Sequence, residues 1–434
     1  MSPDLLIVGA GPAGIGAAIE AAALGLSVML LDENRTPGGR IWQALETRGA
    51  HDAEDAAGLA LIQRFRASRV QANWSATVWA IEPDGQVFWS DAHGAHSVLA
   101  RNVLLATGTT ERPMPIAGWT LPGVMTVGAA QIALKTACLV PDERTWLAGQ
   151  GPLLLLYATQ VLDAGGRIAG IIDLSDGFAP IRSLRHVSLA ALPEIRRGLN
   201  WRRRLYRAGV RWIAASELRA EGDTALHAVS FRTIAGWKTE EADLLLLHDG
   251  GIPSGQITRA LGCAHTFSDT QRCWHPVVDH QGRTSVPGIL VAGDAAGIGG
   301  AAAAVLSGRI AALGLAGGDP AALHAERARR LAARPLLDTL FAPRPMRLDD
   351  TTLVCRCEEV TAGAVRQAVR IGCQGMNQLK AYTRCGMGPC QGRMCAPVAI
   401  EVLAEARGVP VASVEPLRTR FPTKPVSVGE LTTL

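Results

Sequence analysis

The chain has 434 residues, 48% of them apolar and 19% charged, with a formal net charge of +4. That length accommodates two or three domains, and the composition excludes a disordered chain. A charge so small for the length gives no electrostatic case for nucleic acid.

Asp4 to Gly14 reads as a buried strand running into Gly9-x-Gly11-x-x-Gly14. An Ala-rich helix follows to about Leu24, and Leu26 to Leu31 is a second buried strand closing on Asp32. This is a complete β–α–β nucleotide-binding unit. Gly9 permits the tight turn, Gly11 lets the backbone approach a pyrophosphate, and Gly14 lets helix and strand pack closely. The helix N-terminus faces the phosphates, and Asp32 can accept hydrogen bonds from a ribose diol. Gly38-Gly39-Arg40 comes just after. A polar helix over about Glu54–Ser68 leads to a β-meander through Ala76–Ile81 and Gln86–Trp89, with Trp79 and Trp89 read as core. Val103 to Gly108 is a strand ending in Ala106-Thr107-Gly108, and Pro- and Gly-dense residues 109–125 mark an interdomain linker.

The opening motif then recurs. Trp146 to Gln150 leads into Gly149-x-Gly151-Pro152-Leu153, a helix to about Ala164, and the strand Arg167–Ile172 closing on Asp173, at nearly the original spacing. Leu154 stands where the third glycine belongs, so helix and strand pack less closely there. Asp173 favours a free ribose diol, as in NAD or ATP, over a 2′-phosphate. Residues 182–211 are heavily basic, read as a solvated helix face, or else as a dock for an acidic partner subunit or a hold on nucleotide phosphates. The strand Ala242–His248 returns the chain to the first domain. Gly288 to Ala296 is a strand closing on Gly293-Asp294, followed by a helix over about Gly299–Leu315, a charged helix, and the Pro-rich linker Ala342–Pro345.

Of nine cysteines, five fall in two runs, Cys355-x-Cys357 and Cys385-x4-Cys390-x4-Cys395. Thiolates at these spacings on Gly/Pro loops converge on one metal, and four of them suit either structural zinc or a [2Fe–2S] cluster. Cys138, Cys263 and Cys273 are read as lone core residues. No dithiol follows Gly38-Gly39 and the second nucleotide unit has no Cys-x-x-Cys, which argues against a disulfide reductase. No basic start with an apolar run precedes the first strand, and residues 295–318 are interrupted by Gly and Arg309, short of the roughly 20 apolar residues a bilayer requires. The chain is expected to be cytoplasmic, with association to the inner membrane face through its electron acceptors left open. The basic residues are nearly all Arg, with Lys only at 135, 238, 380 and 424, read as a codon bias.

Three signatures in this order, Gly38-Gly39-Arg40, Ala106-Thr107-Gly108 and Gly293-Asp294, resemble the FAD/NAD(P) disulfide-reductase-like superfamily. The resemblance implies an α/β fold with two dinucleotide-binding, Rossmann-like domains. It implies FAD at Gly9, Gly11, Pro12, Ala13, Gly14, Asp32, Glu33, Gly39, Arg40, Val78, Ala106, Thr107, Gly108, Gly293 and Asp294. A second nucleotide, NAD or ATP, is expected at Gly149, Gly151, Pro152, Leu153 and Asp173. The cysteine runs, with Gly386-Met387-Gly388-Pro389-Cys390-Gln391-Gly392-Arg393, resemble the [2Fe–2S] domain named after bacterioferritin-associated ferredoxin. That resemblance makes Cys355, Cys357, Cys390 and Cys395 the ligands and sets Cys385 aside. The expected divisions are 1–115 with 250–330 for FAD, 116–249 for the second nucleotide, 331–348 as linker, 349–415 as a small helical [2Fe–2S] domain, and 416–434 as an extended tail.

Thr107 to Pro113, Gly118 to Met125 and Cys355 to Thr361 together resemble the α-type subunits of bacterial hetero-oligomeric flavoprotein dehydrogenases acting on opines, D-hydroxyproline or proline, and hydrogen cyanide synthase. The resemblance implies an FAD-dependent oxidoreductase that transfers electrons. It also implies an amino-acid-oxidase-like β subunit with its own FAD, a small ferredoxin-like γ subunit, and an FMN at a subunit interface. A stand-alone NADH-dependent reductase feeding a ferredoxin-like acceptor is the rival reading, and a scaffold with purely structural sites is a third. No residue stands out as catalytic.

Overall fold

Leu5–Val8 is entirely buried and pairs in parallel on both sides, with Val28–Asp32 and Val103–Leu105. A computed structural model, which describes residues 2–141 and 144–434, completes this sheet with Gln71–Trp74 at one edge and Ile289–Val291 at the other. Strands buried on both faces are unbroken apolar runs, as their sequences show. The helices Pro12–Ala23 and Ala301–Leu315 cover one face. They approach closely because small residues meet at the crossing. A methyl on Gly308 would lie 1.9 Å from the Ala13 carbonyl oxygen, and one on Gly16 would lie 2.6 Å from that of Val305.

The second sheet repeats the first: Arg211–Ala214, Gly170–Asp173, Thr145–Gln150, Leu244–Asp249 and Val124–Thr126, all parallel. Each sheet carries a three-stranded antiparallel meander, Thr77–Ile81 to Gly94–Leu99 in the first and Glu217–Glu221 to Gly236–Glu241 in the second. The strand expected to return the chain to the first domain belongs instead to the second sheet, where Leu244–Asp249 is buried between two parallel neighbours. The return is made by Gly251–Pro253, antiparallel to Thr109–Glu111. Trp79 and Trp89 are buried, and Trp79 Nε1 donates to Ser90 Oγ at 3.1 Å. Leu154 fills the second core.

The basic segment folds as a short helix, two 3₁₀ turns and the helix Leu192–Arg207, largely exposed. Cys138 is exposed rather than core, because it ends the helix Val127–Ala137 in a left-handed conformation. The cysteine region is a small unit with its own core, built on the helices Ala362–Arg370, Met376–Thr383 and Cys395–Arg407. The tail is not wholly extended: Ser427 and Glu430 form a capping box that starts a helical turn at Val428–Leu431. Among the described residues no helix is long and apolar enough to cross a membrane.

Replacing Gly308 by Ala forces its helix off Ala13. We expect a loss of about 1–3 kcal/mol in chemical denaturation, with weaker flavin retention on gel filtration. The same change at Gly317, which has open space around it, tests left-handed strain alone.

Candidate flavin and metal centres

The glycine turns lie at the C-terminal ends of the parallel strands, where α/β sheets bind ligands. Gly9 has φ +107°, and a methyl there would meet the Ala106 carbonyl oxygen at 2.5 Å. Gly14 is tighter still, at 1.8 Å from the Gly9 oxygen, so only glycine lets this helix start against its strand. A methyl built on Gly11 would meet nothing nearer than Gly39 Cα at 3.9 Å, which leaves room beside the turn for a phosphate. Pro12 and Ala13 open the helix. Ala106, Thr107 and Gly108 follow the strand Val103–Leu105, and Gly293 and Asp294 follow Ile289–Val291. Asp294 Oδ1 accepts from the amides of Gly299 at 2.9 Å and Gly300 at 3.0 Å, shaping the N-terminus of the helix Ala301–Leu315. Val78 is buried in the first strand of the meander. This cradle fits a dinucleotide.

Asp32 is buried and its oxygens are already engaged. Oδ2 accepts from the Ala10 amide at 2.5 Å, and Oδ1 accepts from the Asn34 amide and side chain, each at 2.7 Å. Glu33 beside it is half exposed and pairs with Arg40 at 3.4 Å and with Lys424 from the C-terminal tail. Burial holds the Lys424 ammonium below its usual range. Lys135 reaches the same loop from the second domain and donates to the Ile41 carbonyl at 2.8 Å. Two of the four lysines thus brace one loop, and sequence reasoning missed both. The available signal was their rarity in an Arg-rich chain.

Burial pulls Lys135 down to about 8 from 10.5. The unfolded chain therefore holds a proton that the folded chain has shed between about pH 8 and 10.5. This group's contribution to stability is complete above that window and is lost as pH falls through it. Lys135→Met is expected to remove that slope, read as the difference between wild-type and variant melting temperatures across pH 7–11.

In the second fold, a methyl on Gly149 would lie 1.8 Å from the His248 carbonyl oxygen, and one on Gly151 would lie 3.1 Å from the His248 ring. His248 Nδ1 pairs with Glu111 at 2.5 Å, and Glu111 Oε2 accepts from the Gly128 amide at 2.9 Å. Pro152 and Leu153 open the helix Pro152–Asp163. The mouth of this turn meets the chain's own linker. Gln150 Nε2 donates to the Ala342 carbonyl at 3.0 Å and to Asp249 at 2.7 Å, and Arg344 donates to the Ser175 carbonyl. Asp173 accepts from Trp212 Nε1 at 3.1 Å and from the Ser175 amide at 2.9 Å.

The cysteines converge as a buried core with a more open edge. The sulfurs of Cys355, Cys385 and Cys395 lie within 4.8 Å of one another, all buried. Cys357, exposed, and Cys390, half-buried, interact beside them. Cys385, set aside by the family pattern, is therefore central. Gly388 makes this possible: a methyl there would lie 2.2 Å from Cys357 Cβ. The neighbouring Cys385 thiol and burial push the Cys395 thiol far up, and burial raises Cys355 and Cys357. Such crowding holds protons on sulfur until a cation among the thiols reverses it. The donor set fits a thiolate-preferring centre, iron–sulfur or zinc. Cys385→Ser is expected to lower bound metal as far as Cys395→Ser does, measured as iron and zinc per chain after anaerobic purification.

The family described as pyridine nucleotide-disulphide oxidoreductase matches residues 3–308, and the sarcosine oxidase A3 domain matches residues 349–433. The chain is 41% identical to the A-type subunit of opine oxidase from Rhizobium meliloti, over 99% of this chain and 98% of that one. It is 34% identical to hydrogen cyanide synthase subunit HcnB of Pseudomonas aeruginosa, over 97% and 96% of the two chains. The crystal structure of L-proline dehydrogenase from P. horikoshii superposes with a TM-score of 0.75 at 21% identity, over 99% of this chain and 79% of that one.

Proposed function

This chain belongs to the pyridine nucleotide-disulphide oxidoreductase family, in the branch of the A-type subunits of opine oxidase, and from that membership we propose that it is the electron-transfer subunit of a hetero-oligomeric amine or imino-acid dehydrogenase. It is a flavin-dependent oxidoreductase. In this reading the flavin is FAD, held by the first fold, and the five-cysteine centre carries a [2Fe–2S] cluster. Bound together, the two groups would take an electron pair and pass it on one electron at a time. A β subunit of the amino-acid-oxidase type breaks the C–H bond next to nitrogen on its own FAD. A small ferredoxin-like γ subunit, with an FMN between subunits, completes the assembly, which works in the cytoplasm.

The chain's own residues divide the work. The amides of the Gly9–Gly14 turn bind the pyrophosphate. Asp32 fixes that turn by accepting from Ala10, and Glu33 faces the ribose. Asp294 holds the helix N-terminus toward the flavin end, and the linker and tail keep the cysteine unit against both folds.

One contact supports a partner, rather than NADH, as the source of electrons. The second phosphate turn is engaged through Gln150 with Ala342, so NAD or ATP would have to displace the linker. An anaerobic titration of the isolated chain with NADH, followed by absorbance and EPR, is expected to leave flavin and cluster oxidised. Adding the β subunit together with an amine or imino-acid substrate is expected to bleach both. Rapid bleaching by NADH alone would replace this reading with a stand-alone reductase.

A further inference from the structure

Where the cysteine unit meets the first fold, a cavity of about 50 Å³ remains. Its walls come from four places: the crossover strands Thr109–Glu111 and Gly251–Pro253, the short helix Gln256–Ala260, the hairpin His265–Ser268 with Cys273–Pro276, and residues 392–416 of the cysteine unit. Four guanidinium groups line it, those of Arg112, Arg259, Arg272 and Arg393, against the single carboxylate of Glu401. Arg272 consumes that carboxylate in a bidentate pair, with both contacts at 2.6 Å.

The remaining donors are only partly met, Arg393 by the Thr423 carbonyl at 2.8 Å. Arg112 is 3% exposed. Its two terminal nitrogens donate to the carbonyls of Gln271 and Arg272, its Nε is buried with no acceptor, and Asp249 stands off at 4.0 Å. The Arg259 side chain has no hydrogen bond or ion pair among the described residues, and its Nε is fully buried. Trp274 Nε1, on the same wall, is likewise buried without an acceptor. Burial already pulls Arg259 down to about 10. Water would answer the unpaired N–H groups but not the charge: buried Arg112 has only Asp249, at 4.0 Å, and partly buried Arg259 has no ion pair among the described residues. An acceptor-only group with negative charge answers both. The volume sets its size: a few waters or one small anion fit, and a nucleotide does not.

We infer that this cavity binds a small oxyanion of the phosphate or sulfate type, held by Arg112, Arg259 and Arg393. The anion bridges the first fold to the loop between Cys390 and Cys395, so it joins the two redox units as well as neutralising the arginines. Binding is read without turnover, so its failure would leave the proposed function untouched.

The test uses the full chain with its flavin. Inorganic phosphate, sulfate and acetate are titrated by calorimetry at constant ionic strength. Amide hydrogen exchange is followed with and without phosphate. The expected result is saturable binding of one phosphate or sulfate per chain, with acetate weaker. Exchange protection is confined to residues 109–112, 256–260, 271–276 and 392–401. Arg259→Gln weakens phosphate by about tenfold or more, while Arg203→Gln on the exposed basic helix has no effect. Arg259→Lys, which keeps the charge but loses the fork, retains part of the affinity and guards against a folding defect in the Gln variant. The proposal is overturned if phosphate gives no saturable heat, if protection maps elsewhere, or if Arg259→Gln binds as wild type does.

Discussion

A buried ion pair fixes how the cysteine unit sits on the flavin fold. Arg272, at the turn of the His265–Pro276 hairpin, meets Glu401 in the middle of the helix that Cys395 begins, and Glu401 is 7% exposed. Removing one partner of such a pair leaves a buried charge and costs about 3–5 kcal/mol. The backbone of Arg272 is left-handed, and its carbonyl also serves Arg112. One residue therefore sets the hairpin, the neighbouring arginine and the cysteine helix. Lesser contacts align the same junction: Trp119 Nε1 on the Leu353 carbonyl and Arg393 on that of Thr423.

The duplicated fold has been put to two uses. The first copy keeps its turn open and its helix close, with Gly14 and Gly308 allowing the approach. The second copy keeps the sheet and the turn but fills the third glycine position with Leu154, and its mouth receives Ala342 and Arg344. Trp119 and the core around it carry the start of the cysteine unit. The second sheet meets its own chain through hydrogen bonds from the same turn.

What could be read from the sequence was whatever depends on local spacing. The repeated β–α–β units, the glycine turns and the cysteine runs are short-range patterns, and each lies at a strand end or in a loop as those patterns require. What escaped depended on contacts across the chain. Nothing near Cys385 in sequence announces that its sulfur meets those of Cys355 and Cys395, because the helix Met376–Thr383 and the left-handed Arg384 turn it inward. Nothing near Arg259 shows that its guanidinium ends without a partner. The strand Leu244–Asp249 departs from expectation for a related reason: apolar runs reveal burial but not which sheet buries them.

The contact of Lys424 with Glu33 joins residues 391 positions apart. At ribosomal speeds of about 5–20 residues per second, the fingerprint at Gly9–Gly14 is exposed for about 20–80 seconds before that lysine is made. Through that interval the loop beyond Asp32 lacks its tail brace, and the cysteines have only lately emerged. Cofactor capture by the first fold waits for Gly293, Asp294 and the helix Ala301–Leu315, and its final closure waits for the cysteine unit to dock. The order of synthesis becomes an order of assembly, nucleotide fold first and metal unit last.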